Sequence, residues 1–298
     1  MFKNIIKFFL PSLRAILFFP FHILNKLSSI YSKLLNLIDP NGSECYWEEL
    51  SQKQIDSRIN STLRYKNLDQ YKSNIFNHEK GLNFYTPTKI SSYRAHTLLS
   101  KEKKTLEWID QHGGKNKTFF DIGANVGVYS LYYAAAHRSS VYSFEPAFRN
   151  LDLLVKNIQL NNLAEYISVI SNPVYNKETF NKFSRSENTA GMAEATFGEK
   201  NQKIYYYKTL SISLDQLMKD STAKTPNLIK IDVDGNEIEV INGAKKILSS
   251  EECFSILVET RPATNEIIKK ILEEHGYKKG KEIDLGYRDE FNQIWFKK

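Results

Sequence analysis

From residue 119 onward, short apolar runs alternate with segments whose apolar positions recur at helical spacing. Residues 119–121 predict a first buried strand, with Asp121 closing it. Residues 141–144, 166–170, 228–233 and 254–259 predict four more. Between them, Leu151, Leu154, Val155, Ile158 and Leu160 mark a helix over 148–161. A second helix follows Asp234-Gly235-Asn236-Glu237 and runs to about residue 248, and a third lies near 265–275. The chain closes on a pair of strands ending at 291–296. Such alternation implies an α/β fold with a Rossmann-like seven-stranded sheet, mostly parallel with right-handed crossovers and an antiparallel edge strand.

The most informative stretch is Phe119-Phe120-Asp121-Ile122-Gly123-Ala124-Asn125-Val126-Gly127-Val128-Tyr129-Ser130. A strand that runs through a glycine turn into a helix builds a nucleotide crevice. Gly123 and Gly127 are expected to let backbone approach a ligand closely, and the helix start offers N–H groups to a carboxylate. The G-x-G-x-x-G spacing of a pyrophosphate site is absent. A carboxylate at Asp121 would repel pyrophosphate and attract an ammonium, which suits S-adenosylmethionine. About 20 residues on, Glu145 precedes Pro146 at the end of the second strand, where an acid can accept both ribose hydroxyls. Asn125 suits a left-handed turn position. Asp121, Gly123, Asn125, Gly127 and Glu145 are therefore the expected cofactor residues.

The glycine turn, Phe144-Glu145-Pro146 and Lys230-Ile231-Asp232-Val233-Asp234-Gly235-Asn236-Glu237 together resemble the three signatures of FkbM-type methyltransferases, in the family's order. Residues 100–109 and Glu187-Asn188-Thr189-Ala190-Gly191-Met192-Ala193 resemble further parts of one branch, so the likeness covers roughly 85–276. One departure is Lys103, where the family often has proline. The resemblance implies S-adenosylmethionine as donor and O-methylation of a sugar, glycan or related metabolite. It also adds a cofactor role for Asn125.

Asp232, Lys230, Asp234 and Glu237 are the expected catalytic group. Asp232 lies at the end of the fourth strand, beside the crevice. Lys230, two residues earlier, shares its strand face within ion-pair reach. A lysine in an apolar strand is costly to bury unpaired. An acid here can accept a hydroxyl proton while Lys230 steers it; the plainer alternative is a salt bridge that orders the strand end. An EF-hand reading fails because Gly235 comes too early. No metal is called, although Mg²⁺ on Asp232 and Asp234 stays open. Tyr129 reads as packing.

Composition narrows the rest. The chain has 298 residues, 41% of them apolar, enough for one large domain and an accessory segment. Two cysteines make no disulfide framework and suggest a reducing, cytoplasmic setting. The net charge is +7, concentrated at the N-terminus: residues 1–40 carry Lys3, Lys7, Arg14, Lys26 and Lys33 against Asp39 alone. There Ile23, Leu27, Ile30, Leu34 and Ile38 form an apolar helical stripe opposite Lys26 and Lys33. This predicts helices lying on an anionic membrane surface, or else packing on the catalytic domain or a second subunit. The expected domains are residues 1–40, an N-terminal helical and β cap over 41–99, and a catalytic domain over 100–298. Within that domain, 173–213 form a lid-like insertion. Nucleic acid is an unlikely partner, since the basic residues are interleaved with apolar ones and Asn172-Pro173-Val174-Tyr175 lacks the second proline of an N-P-P-Y motif. The alternatives are a nucleic-acid amino-methyltransferase and a non-catalytic, cofactor-binding, membrane-tethered scaffold.

Overall fold

Side chains alternate from face to face along the central strands, and different helices cover the two faces. The computed structural model describes residues 75–79, 81–198, 205–284 and 290–298, all within the unit Asn67–Lys298. The expectations for residues 1–40, and for a polar helical stretch before residue 75, lie outside the described residues. A ribbon of β1 (Ile75–Asn77) and β2 (Asn83–Tyr85) precedes α1 (Lys89–His96) and α2 (Lys103–His112). Helix α1 begins at a capping box formed by Thr88 and Ser91. Alternating units follow: β3 (Phe119–Ile122), α3 (Val128–His137), β4 (Val141–Phe144), α4 (Phe148–Leu160) and β5 (Ile167–Ile170). The insertion folds as an antiparallel sheet of β6 (Phe180–Arg185), β7 (Ala195–Phe197) and β8 (Tyr205–Leu210). Next come α5 (Leu214–Asp220), β9 (Leu228–Ile231), α6 (Glu237–Asn242) and α7 (Lys245–Ser249). Then β10 (Ser255–Thr260), α8 (Pro262–Glu274), β11 (Tyr277–Asp284) and β12 (Phe291–Lys297) complete the chain.

The main sheet has seven strands in the order β11-β12-β10-β9-β3-β4-β5. Strands β3, β4, β5, β9 and β10 pair in parallel, and β12 runs against both β10 and β11. The antiparallel pair thus sits at one edge, with the reversed strand one place inward. Chain order reverses between β3 and β9. A crevice therefore opens beyond their carboxyl ends, the usual ligand position in such sheets.

Phe119, Leu228, Leu257 and Ile294 pack on one face with Trp108, Ile109, Leu131, Tyr133 and Leu154 from α2, α3 and α4. Phe120, Ile229, Ile256 and Trp295 pack on the other, with Val240, Ile268 and Leu272 from α6 and α8. Coverage of both faces explains why these strands read as continuous apolar runs. By the same alternation Asp121 and Lys230 share the face that carries Phe119 and Leu228.

The elements differ from expectation in informative places. Asp121 does not close its strand, because β3 continues through Ile122. Strand β9 stops at Ile231, short of the expected Val233, although the Asp232 N–H still donates to the Ile122 carbonyl at 3.0 Å. The helix expected to run to residue 248 is broken into α6 and α7. The carbonyl of Gly243 accepts from the backbone N–H of Asp215 instead of continuing the helix. The Asp215 carboxylate then caps α7 by accepting from Lys246 and Ile247. Lys103 is the first residue of α2, a position that favours proline, so the departure from the family pattern keeps the helix start in place. Among the described residues no helix is long and apolar enough to cross a membrane.

Gly123 joins the two halves of the sheet at the crevice. Its φ is +87°, and a Cβ there would lie 1.8 Å from the carbonyl oxygen of Asp232. Gly123→Ala is expected to destabilise the fold by about 2–4 kcal/mol, from strain and overpacking combined. Urea unfolding of the variant beside the wild type measures it.

Candidate active site

The turn after β3 is held from below. Gly123 and Ala124 both donate their N–H groups to the carbonyl of Phe144, each at 3.0 Å. Asn125 sits in the left-handed region with φ 53°, as its residue type allows. Its backbone N–H donates to Glu145 Oε2 at 2.8 Å, while Glu145 Oε1 accepts from Ala147 N at 2.8 Å. Gly127 has φ +88°, and a Cβ there would meet Leu154 Cδ1 at 2.5 Å. Both glycines are thus required by close packing within the protein. Gly123 also lines the crevice, whereas Gly127 does not.

Asp121 also departs from its expected role. Its carboxyl is fully buried beneath the turn and accepts from Ser130 Oγ at 2.5 Å; that hydroxyl in turn accepts from Ser143 at 2.7 Å. It does not line the crevice. Burial raises its pKa against the opposing pull of Lys230, which pairs with it in strand register. Glu145 is likewise 5% exposed and set behind the crevice wall. Burial pushes it up to about 7, the two backbone N–H groups resisting.

Lys230 is a charged side chain in the apolar centre of the sheet, and it lines the crevice. It is 1% exposed, and its Nζ donates to Asp232 Oδ2 at 2.7 Å. The ammonium also lies 4.9 Å from the centre of the Tyr129 ring. Burial alone would lower its pKa, but Asp232, Asp121 and Glu102 more than offset that and raise it. Burial would likewise raise Asp232, yet the Lys230 ammonium holds that carboxyl below the usual range. The pair is therefore ionised, with Asp232 open to the crevice at 32% side-chain exposure.

The crevice encloses about 240 Å³. Its floor is Gly123, Ala124, Asn125, Val128 and Tyr129, with Lys230 and Asp232 beside them. Helix α1 and the segment after it supply Arg94, Thr97, Leu98, Lys101 and Glu102. Glu259 at the end of β10 and Glu290 close one side. A strap over 189–194 from the insertion closes another, through Met192, Ala193 and Glu194. Its Met192 carbonyl accepts from Asn125 Nδ2, Asn150 Nδ2 and Arg185 Nη2 at 3.3, 3.1 and 3.0 Å. Asp234 Oδ2 holds the far end by accepting from Glu194 N at 2.7 Å and Ala195 N at 3.3 Å. Glu237 accepts from Gly235 N at 2.9 Å and lies outside the crevice lining. Burial raises the pKa of both acids.

Three comparisons can be set beside this geometry. A family model described as the methyltransferase FkbM domain matches residues 121–279, more than half of the chain. The chain belongs to the FkbM methyltransferase family. Its members are S-adenosylmethionine-dependent methyltransferases. The hexuronic acid methyltransferase AglP of Haloferax volcanii is 23% identical over 152 residues, which are 51% of this chain and 60% of that protein. The chain thus spans less than two thirds of that relative's length. A solved FkbM methyltransferase from Methylobacillus flagellatus shares 14% identity at a TM-score of 0.43, covering 70% of this chain and 55% of the other. A precorrin-6y C5,15-methyltransferase from Geobacter metallireducens shares 15% at 0.41, covering 72% and 94%.

The residues present fit the family's methyl donor. Six carboxyl residues against three basic ones line the crevice of a chain whose net charge is +7, an arrangement suited to a sulfonium and an ammonium. Asn125 Oδ1 is buried without a hydrogen-bond partner among the described residues. The N-terminus of α3, through Val128 and Tyr129, meets the same crevice and suits the donor's carboxylate.

Sequence reasoning missed Arg94, Lys101, Glu102, Tyr129, Met192, Glu259 and Glu290. Tyr129 had only a packing role, whereas it lines the crevice, where burial and then Glu102 raise the pKa of its hydroxyl. Its position one residue past the start of α3 was the available signal.

Two outcomes follow. Lys230→Met is expected to cost about 3–5 kcal/mol at neutral pH in urea unfolding, because buried acids lose their partner. The cost should shrink at low pH as those acids take up protons. Burial, with Asp232 and Glu290 nearby, pushes Glu259 up to about 9. The folded state then binds a proton that the unfolded state releases, so stability should fall as pH rises from 4.5 towards about 9. Melting curves of Glu259→Gln across that window should be flatter than those of the wild type.

Proposed function

We propose that this methyltransferase acts on a hydroxyl of a sugar or glycan, with Asp232 accepting the hydroxyl proton and Lys230 steering the acid. The observation that carries the reading is the 2.7 Å ion pair at the end of β9, whose acid is the more exposed partner. The similarity to a hexuronic acid methyltransferase supports a sugar acceptor. S-adenosylmethionine, when bound, supplies a methyl group on a sulfonium with a good leaving group. Alignment and proton removal are what remain for the protein. A sugar hydroxyl is a poor nucleophile until its proton leaves, and Asp232, kept ionised, can take it through a hydrogen bond. Lys230 is kept protonated and serves to fix the direction of that carboxylate.

The other expected residues take supporting parts in this reading. Asp234 ties down the strap and Glu237 shapes the turn before α6, so both hold the crevice wall. Gly123, Asn125 and the start of α3 take the methionine portion of the donor. Glu145 acts from behind the wall, fixing the turn through Asn125. Asp121 and Gly127 act behind the wall, on Ser130 and on the packing of α3.

Calorimetric titration with S-adenosylmethionine tests the donor site. One-site binding is expected, weakened roughly tenfold or more by Glu145→Ala; a folded wild-type protein that binds none would sink the proposal. In a methyl-transfer assay on sugar acceptors, Asp232→Asn should lower kcat about 10²- to 10⁴-fold with donor affinity retained. Unchanged kcat would remove Asp232 from the role of base.

A further inference from the structure

The insertion sheet has one face turned inward and one turned out. Phe183, Phe197 and Tyr207 pack inward around Ala147. An antiparallel sheet covered on one side ordinarily carries polar side chains on the other. Here the outward side chains include Phe180 and Lys182 of β6, and Tyr206, Lys208 and Leu210 of β8, all of them exposed. Phe180 is 74% exposed and Tyr206 61%. Of the eight large apolar or aromatic side chains exposed among the described residues, four lie on these two six-residue strands. Such concentration marks a contact surface, whereas scattered exposure would not.

The charges on this face are of one sign. Lys182 and Lys208 stand directly opposite each other in the ladder, an arrangement that repels. Neither forms an ion pair among the described residues. Glu178, the acid nearest Phe180 in sequence, is occupied by Ser213. Phe180 and Leu210 form the next pair on the face, so two lysines border an apolar pair. An anion spanning both lysines would relieve their repulsion. A nucleic acid needs free ring faces on which its bases can stack. The Tyr206 ring already carries the Lys182 ammonium, 5.1 Å from its centre, and Leu210 offers no ring. A lipid surface instead takes Phe and Leu at its acyl boundary and lysines among its phosphates. Residues 1–40 interleave the same residue types, with five basic side chains against Asp39 alone.

We infer that the outer face of β6 and β8 docks on an anionic lipid bilayer, with Phe180 and Leu210 at the acyl boundary and Lys182 and Lys208 at the headgroups. The strap over 189–194 lies between β6 and β7, so the docking face and one wall of the crevice belong to the same small sheet and its loop. The inference concerns where the protein works and does not depend on which hydroxyl it methylates.

The test is sedimentation of the full chain with phosphatidylcholine vesicles, with and without phosphatidylserine. Wild-type protein is expected to bind the vesicles that contain phosphatidylserine. Lys182→Gln with Lys208→Gln should weaken that binding roughly 10- to 30-fold, and Lys182→Arg with Lys208→Arg should retain it. Phe180→Ser should weaken it as well. Lys278→Gln with Lys281→Gln, on the exposed side of β11, removes the same charge elsewhere and should bind as the wild type does. Unchanged melting temperatures show that each variant is folded. Wild-type protein that ignores the anionic vesicles overturns the inference. So does binding that the Lys182 and Lys208 variant keeps in full, which would leave residues 1–40 as the whole contact, or an equal loss in the β11 control. Wild-type binding to single-stranded RNA that the Lys182 and Lys208 variant loses, while it keeps vesicle binding, would assign the face to nucleic acid and overturn the inference too.

Discussion

The buried ammonium of Lys230 is the constraint around which the rest of the site is arranged. A cation in the centre of a sheet covered on both faces cannot persist without compensation. Compensation comes from three directions: Asp121 from the neighbouring strand, Asp232 two residues on, and Glu102 from the start of α2. The Tyr129 ring closes the remaining side. Each contributor belongs to a different element, so the cluster also ties β3, β9, α2 and α3 together at the mouth of the crevice. Replacing such a cluster with apolar residues is often neutral or stabilising. Its presence here therefore points to use of the charge and not to stability alone.

That arrangement separates carboxyl groups that look alike in the chain. Asp232 is ionised because Lys230 touches it, while Glu259, one strand away, is held protonated by burial and by its acidic neighbours. Asp121 and Glu145 bind the turn from behind and expose almost nothing. The crevice thus holds a carboxylate kept ionised beside others kept neutral or tied to backbone, the kind of asymmetry that acid–base chemistry uses.

The strap over 189–194 joins this centre to the periphery. Its carbonyls are taken by Thr88 and Arg94 from the α1 region, by Asn125 and Asn150, and by Arg185 from the insertion itself. Substrate-facing surface is thereby built from segments far apart in the chain. The antiparallel insertion is held to the parallel sheet through these polar contacts and through Asp234.

The alternation of apolar runs, the glycine turn and the three ordered motifs determined the α/β class, the sheet and the location of the crevice. The Lys230–Asp232 pair was legible too, because two residues along a strand return a side chain to the same face. What the chain alone could not show was where each acid faces. Whether β3 ended at Asp121 or one residue later decided whether that carboxylate met the ligand or the helix behind it, and local pattern does not resolve a single residue of strand. Gly123 lines the crevice, but what demands a glycine there is the carbonyl of Asp232, over 100 residues away in sequence. Arg94, Glu102, Glu259 and Glu290 carry no local signal, since each reaches the crevice only through long-range packing. Local periodicity sets the elements, whereas the partners of a charge, and hence its protonation and its use, exist only once distant segments meet.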